Sequence, residues 1–319
     1  MRRGAMKILI TDGLDTTAAQ ILRKAHEVKI HELDAKGLLA EISGVHALIV
    51  RSRTKVTKDV LARGTALKVV ARAGVGVDNI DVDETTARKI VVVNAPAAST
   101  VSVAELAIGH MVSLLRHLPE ADRTVKAGKW ERGKLEGREL FGKTLGLFGS
   151  GRIGTEVARR AQAFGMRVIA YDPYLPPTAA KQAAIRLVDK EVVFRDSDVL
   201  SIHAALTPET RGAIGAMELR KMRPSAILVN CARGEIVDEA ALAEALRART
   251  ISGAAIDVFT KEPPTGSPLL DAPNIVFTPH LGASTMEGQA RAGAIVADQV
   301  LKVLAGKRPE FIVNPAVYR

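Results

Sequence analysis

The chain has 319 residues, long for a single hydrophobic core, and so predicts two domains. Its hydrophobic fraction of 47% is that of a globular protein and excludes a disordered chain. The net charge of +10 comes from scattered basic residues with only 3% aromatics, which argues against a nucleic-acid-binding surface, where basic side chains gather in a patch beside stacking rings.

At the amino terminus, Met1-Arg2-Arg3-Gly4 leads straight into the strand-like residues 7–10 with no secretory hydrophobic region, so a cytoplasmic location is expected. Strands are predicted over residues 7–10, 45–50, 68–71 and 91–93, with helices over 17–24, 36–41 and 58–62 between them. Asn94-Ala95-Pro96 breaks this pattern, and Ser99-Thr100 caps a long helix running to about His117. That helix is the most apolar stretch of the chain, but Glu105 and His110 interrupt it well short of the roughly 20 apolar residues of a membrane span, so no membrane partner is expected. Two readings account for its composition: a homodimer interface, or burial in a hinge between domains.

A second α/β unit begins near Lys143, with strands predicted over residues 144–148, 167–171, 199–203, 226–230, 253–257 and 275–278. A final helical pattern covers about 285–304. Apolar runs alternating with helical patterns from end to end predict parallel sheets covered by helices. Cys231 is the single cysteine, which excludes an internal disulfide and a multi-thiolate metal site, and no metal is expected. Its position suits a small residue at a strand end better than a reactive thiol.

The second unit opens on Gly149-Ser150-Gly151-Arg152-Ile153-Gly154, between a predicted strand and a predicted helix. Gly149 permits the tight turn, Gly151 admits a pyrophosphate to the backbone, and Gly154 lets helix and strand pack closely. The helix start then offers free N–H groups and positive potential to phosphates, with Arg152 facing them. Asp172 stands at the end of the next predicted strand, where a carboxylate binds both ribose hydroxyls and repels a 2′-phosphate. The pattern predicts NAD rather than NADP. Its place in mid-chain predicts a nucleotide domain over residues 98–284, a doubly wound parallel sheet inserted into a smaller, flavodoxin-like substrate domain of residues 1–97 plus 285–319.

Three further segments lie at the carboxyl ends of predicted strands: Val229 to Glu235, Asp257 to Pro263, and Thr278 to Gly282. They supply an arginine for gripping a carboxylate (Arg233), a histidine for moving a hydroxyl proton (His280) and a glutamate for orienting that histidine (Glu262), the three needs of hydride transfer at a 2-hydroxy acid. Such a glutamate favours the charged imidazole.

On these residues the chain resembles the D-isomer-specific 2-hydroxyacid dehydrogenases over nearly its full length. The matching segments include Arg51 to Thr57, Arg72-Ala73-Gly74-Val75-Gly76-Val77-Asp78-Asn79, Tyr171-Asp172-Pro173, Asn230-Cys231-Ala232-Arg233-Gly234 and Pro279-His280-Leu281-Gly282-Ala283-Ser284-Thr285. The resemblance implies that Arg233 binds the substrate carboxylate and carbonyl, that His280 exchanges the C2 hydroxyl proton, and that Glu262 pairs with it. It also implies cofactor contacts at Val75, Arg152, Ile153, Asp172, His203, Cys231, Ala232, Asp257, Gly282 and Ala283. Arg51, Arg53 and Arg72 would hold an anionic substrate, and the amides of Gly74, Val75 and Gly76 would line its cleft. Within the family the strongest likeness is to members that oxidise 3-phospho-D-glycerate to 3-phosphohydroxypyruvate, the first step of L-serine biosynthesis. A reductase of glyoxylate or hydroxypyruvate is the alternative, and an NAD-sensing scaffold without turnover the third reading. Two departures stand out: Ala204 replaces a small hydroxyl residue, and residues 94–100 lack the Gly-Asn of phosphoglycerate-type turns. Longer relatives carry a serine-binding regulatory domain after the last helix, and its absence here leads to the expectation of no serine feedback through such a domain.

Overall fold

The structure, a computed structural model that describes residues 4–319, divides into two compact units. One comprises the chain through Ser99 together with Ala283–Arg319, and the other comprises Thr100–Gly282.

The first unit holds strands β1 (Lys7–Ile10), β2 (Glu27–Ile30), β3 (Ala47–Val50), β4 (Val69–Arg72) and β5 (Val91–Asn94), with helices α1 (Thr16–Arg23), α2 (Ala35–Glu41), α3 (Lys58–Arg63) and α4 (Val82–Ala87). All neighbouring strands are parallel, in the order β2-β1-β3-β4-β5 of flavodoxin-like sheets. Both faces are covered, which is why the inner strands are continuous apolar runs. Ile8, Ile10 and Ile49 pack on one side with Leu22, Val296 and Val300, while Leu9, Leu48 and Val50 pack on the other with Leu38, Val60 and Leu61. β2 is absent from the sequence-based expectation. Its Glu27, Lys29 and Ile30 are exposed at the sheet edge, so burial imposes no apolar pattern on it.

The opposite edge is closed by the chain's own tail. Val313 N–H donates to the Val92 carbonyl at 2.8 Å, and the buried Asn314 accepts from Val92 N–H at 2.8 Å while donating to the Ile90 carbonyl at 2.9 Å.

The second unit holds helices α5 (Thr100–Leu115), α6 (Leu118–Lys126), α7 (Arg152–Ala163), α8 (Pro177–Gln182), α9 (Lys190–Asp196), α10 (Ala216–Lys221) and α11 (Glu239–Arg247). Its strands are β6 (Thr144–Phe148), β7 (Arg167–Tyr171), β8 (Arg186–Leu187), β9 (Val199–Ile202), β10 (Ile227–Asn230), β11 (Gly253–Ile256) and β12 (Ile275–Phe277). The order β8-β7-β6-β9-β10-β11-β12 is the Rossmann 3-2-1-4-5-6 arrangement with a seventh parallel strand added. Sequence periodicity shows six of these strands. β8, two residues long, is too short to carry a pattern. The sheet's order reverses between β6 and β9, and ligands of such folds collect beyond the carboxyl ends of the strands at that point.

Helix α5 buries Val103, Ala107, Met111 and Leu114 within its own unit, packing on α7 and on β10 to β12. Its apolar composition is therefore accounted for without a second copy of the chain. The last helix, α12 (Met286–Leu304), returns to the first unit and packs on α1, β4 and β5.

Replacing Asn314 by Ala leaves the Val92 N–H and the Ile90 carbonyl without their partner in a buried place. The expected cost is about 2–4 kcal/mol of stability, read as a lower urea midpoint; an unchanged midpoint contradicts this account of the closed edge.

Candidate active site

At the carboxyl end of β6 the chain turns through Gly149 with φ +87°, a left-handed conformation suited to glycine. A Cβ there would lie 2.6 Å from the Ala204 nitrogen, and one on Gly154 would lie 2.6 Å from the Gly149 carbonyl oxygen. Both glycines are thus required by close packing, whereas Gly151 faces open space. No side chain caps the start of α7, which leaves its first N–H groups to a ligand. Asp172 follows β7, and its carboxylate accepts from the N–H groups of Ser150 (2.7 Å), Tyr174 (2.9 Å) and Leu175 (3.0 Å). These bonds fix the acid beside the loop. Nearby lie two buried polar atoms without protein partners, Ser150 Oγ and His203 Nδ1. Burial pushes the His203 imidazole down to about 4, so it is neutral, and its Nε2 pairs with Ser201 Oγ at 2.8 Å. A turn with room for a pyrophosphate, an uncapped helix start, an oriented carboxylate and unfilled polar positions all suit a dinucleotide.

Three neighbouring strands carry the reactive residues. Arg233 follows β10, where the buried Asn230 side chain donates to the Arg233 carbonyl at 2.9 Å and accepts from Ala232 N–H at 3.0 Å. Gly234 lies so close to the next loop that a Cβ would stand 2.0 Å from the Phe259 carbonyl carbon. This contact brings the arginine loop onto the one carrying Glu262. His280 follows β12, and its Nδ1 meets both oxygens of Glu262, at 2.9 and 2.8 Å. Glu262 is partly exposed. Burial raises its pKa, but the His280 hydrogen bond and charge, the Phe259 N–H and the positive charge of Arg233 outweigh this and hold it below the usual carboxylate range. A cavity of about 400 Å³ borders the pair, walled by Phe259, Pro263, Leu270 and Phe277.

The turn bearing His280 is held by Asp257 at the end of β11. One carboxylate oxygen accepts from Leu281 N–H at 2.7 Å and from the Thr278 hydroxyl at 2.6 Å, and the other from Gly282 N–H at 2.9 Å. Thr278 also meets Nε2 of His110, a buried residue of α5, at 3.0 Å. Sequence reasoning gave neither His110 nor Thr278 a role in the site. A lone histidine on an apolar helix face gives no sign of its partner when that partner lies far along the chain. Cys231 is buried, and burial raises its thiol pKa, so it is a poor nucleophile.

In the first unit, Arg51 and Arg72 stand at the carboxyl ends of β3 and β4. A Cβ on Gly74 would lie 1.5 Å from an Arg72 guanidinium nitrogen, so this glycine makes room for that arginine. Val75 and Gly76 continue the same loop, and the Val75 carbonyl accepts from the Asn94 side chain at 2.7 Å. Arg51 and Ala283 border one small cavity of this unit. Arg53 differs from the expectation of a substrate contact. Its three guanidinium nitrogens are directed to Asp12 (3.3 Å), Glu32 (3.2 Å) and the Thr11 carbonyl (2.9 Å). Asp12, which sequence reasoning also passed over, organises this corner by accepting from Arg51 N–H at 2.7 Å and from the Thr54 hydroxyl at 2.6 Å.

With this geometry in view, residues 108–282 match the family model described as the NAD binding domain of the D-isomer specific 2-hydroxyacid dehydrogenases. A D-3-phosphoglycerate dehydrogenase of Methanocaldococcus jannaschii is 49% identical over 97% of this chain, which spans 59% of that relative's length. Among solved structures, a protein of Thermus thermophilus is 36% identical with a TM-score of 0.90, over 97% of this chain and 100% of its own. A glyoxylate reductase from Paecilomyes thermophila is 29% identical with a TM-score of 0.88, over 98% of this chain and 99% of its own. The chain belongs to the D-isomer specific 2-hydroxyacid dehydrogenases, and its second unit is the family's NAD-binding domain.

Substituting Gly234 by Ala forces the Arg233 loop away from Phe259. A displacement of about 1 Å at a reacting group costs on the order of 100-fold in rate. A comparable loss of kcat is expected in the folded variant; full activity there removes the role assigned to this contact.

Proposed function

We propose that the protein oxidises 3-phospho-D-glycerate to 3-phosphohydroxypyruvate with NAD. The observation that carries this reading is the grouping of Arg233, Glu262 and His280 at the carboxyl ends of three adjacent strands, in the same unit as the dinucleotide loop. The high identity to curated phosphoglycerate dehydrogenases supports the substrate.

When bound, NAD supplies the hydride acceptor. The Gly149–Gly154 turn and the start of α7 would hold its pyrophosphate, and Asp172 its adenosine ribose. The Arg233 guanidinium binds the substrate carboxylate through paired hydrogen bonds and sets C2 in place. As hydride leaves C2, His280 Nε2 takes the proton of the C2 hydroxyl, so that the alcohol becomes a ketone. Glu262, ionised and bonded at Nδ1, fixes the imidazole's orientation and stabilises the cation that forms. In reduction the same histidine returns the proton. Arg51 and Arg72 would hold the phosphate. Arg53 supports Arg51 through Asp12, and is not itself a ligand in this reading.

The engagement of Arg53 favours a second reading, a reductase of unphosphorylated 2-keto acids, because it leaves fewer cations for a phosphate. A substrate panel separates the two. The first reading expects kcat/KM for 3-phosphoglycerate at least about 100-fold above that for glycerate, in line with two lost charge-assisted contacts. Equal values for the two acids exclude it. In either case His280→Gln should abolish turnover while NAD still binds; retained turnover would overturn the proton-transfer role.

We also propose a homodimer. Since α5 is covered within its own unit, the surface that supports this is the exposed apolar set Leu118, Val125 and Trp130, the last 83% exposed. Light scattering should give twice the chain mass of 34.0 kDa; the single-chain mass rejects it.

A further inference from the structure

We infer that His110 is a positioning residue of the active site, which acts through the Thr278 hydroxyl on the Asp257 carboxylate and so on the turn that presents His280. The inference rests on the reading above, in which His280 moves the substrate proton.

The direction of each hydrogen bond follows from the number of protons available. Thr278 Oγ has one proton and donates it to Asp257 at 2.6 Å. It cannot also donate to His110, so the 3.0 Å contact requires a proton on His110 Nε2 and a lone pair on Thr278 Oγ. His110 is thereby the outermost donor of a chain His110 to Thr278 to Asp257. Its ring is buried on α5, and burial lowers its pKa, with the Asp257 charge opposing in part. The chain needs only that Nε2 carry a proton.

The far end of the chain is a turn under strain. His280 has φ +54°, a left-handed backbone conformation that is unfavourable for a non-glycine residue. Surrounding bonds must hold it there. Its own N–H donates to the carbonyls of Asp257 and Thr278, at 2.9 and 3.0 Å, and the next two N–H groups donate to the Asp257 carboxylate. A carboxylate free to rotate would release both amides together. Thr278 prevents rotation from one side, and His110 in turn prevents the threonine from choosing another acceptor. α5 meets the turn at a second point: a Cβ on Gly282 would lie 3.1 Å from Asp257 Oδ2 and 3.2 Å from a methyl of Val103. The helix thus sets a methyl group beside the turn, where only glycine leaves room, and directs the turn with an imidazole.

The test compares His110→Leu, which keeps apolar volume and removes the donor, with His110→Gln, whose amide N–H₂ restores one. We expect the leucine variant to lose about tenfold in kcat for 3-phosphoglycerate, with thermal midpoints of both variants alike and the glutamine variant within about threefold of the parent. Equal kcat losses in the two variants, or no loss in the leucine variant, overturn the inference. A second readout needs no turnover: NMR of protein with 15N-labelled histidine rings should show a ring protonated at Nε2 that is missing in His110→Leu. A His110 ring whose Nε2 lacks the proton overturns it as well. If the unsubstituted protein turns over no 2-hydroxy acid, the functional reading fails, and the Nε2–H signal still decides the hydrogen-bond chain.

Discussion

The carboxylate of Asp257 is the interaction on which the geometry of the candidate site depends. It lies fully buried at the end of β11 and gathers a hydroxyl and two backbone N–H groups from the segment after β12. Burial of such a group is tolerated only when its acceptor sites are filled. The filling groups belong to the turn that carries His280, so satisfying the buried charge and placing the histidine are one requirement. The histidine's partner Glu262 leaves the same strand end a few residues later, which ties both members of the pair to β11.

Close backbone packing does the corresponding work elsewhere. Gly149 and Gly154 let the loop after β6 fold against its neighbours, and Gly234 lets the arginine loop lie on the loop after β11. Each of these glycines removes a methyl group that would separate two segments bearing functional groups. The unit therefore assembles its site from strand ends whose spacing the parallel sheet already fixes, with glycine setting the last few ångströms.

Much of this was legible in the sequence because parallel strands buried on both faces must be apolar throughout. β1, β3 to β7 and β9 to β12 are seen in that way, whereas the exposed β2 and the two-residue β8 escape. The Glu262–His280 pair was legible because each residue occurs at a predicted strand end in a pattern resembling a known family. His110 was not, since its partner Thr278 lies 168 positions away and only folding brings them together. Arg53 shows the opposite difficulty: the sequence displays its charge but not the acids of the first unit, Asp12 and Glu32, that engage it. Helix α5 shows a third. Its composition told of burial, but not what covered it.

The seclusion of Cys231 has a practical side. The chain's one thiol is both inaccessible and kept protonated, so maleimides and mild oxidants should leave the native protein untouched. A cysteine introduced at any exposed position would then be the sole attachment point for a fluorophore or spin label. The protein thus offers a ready background for site-specific labelling without first stripping out a native thiol.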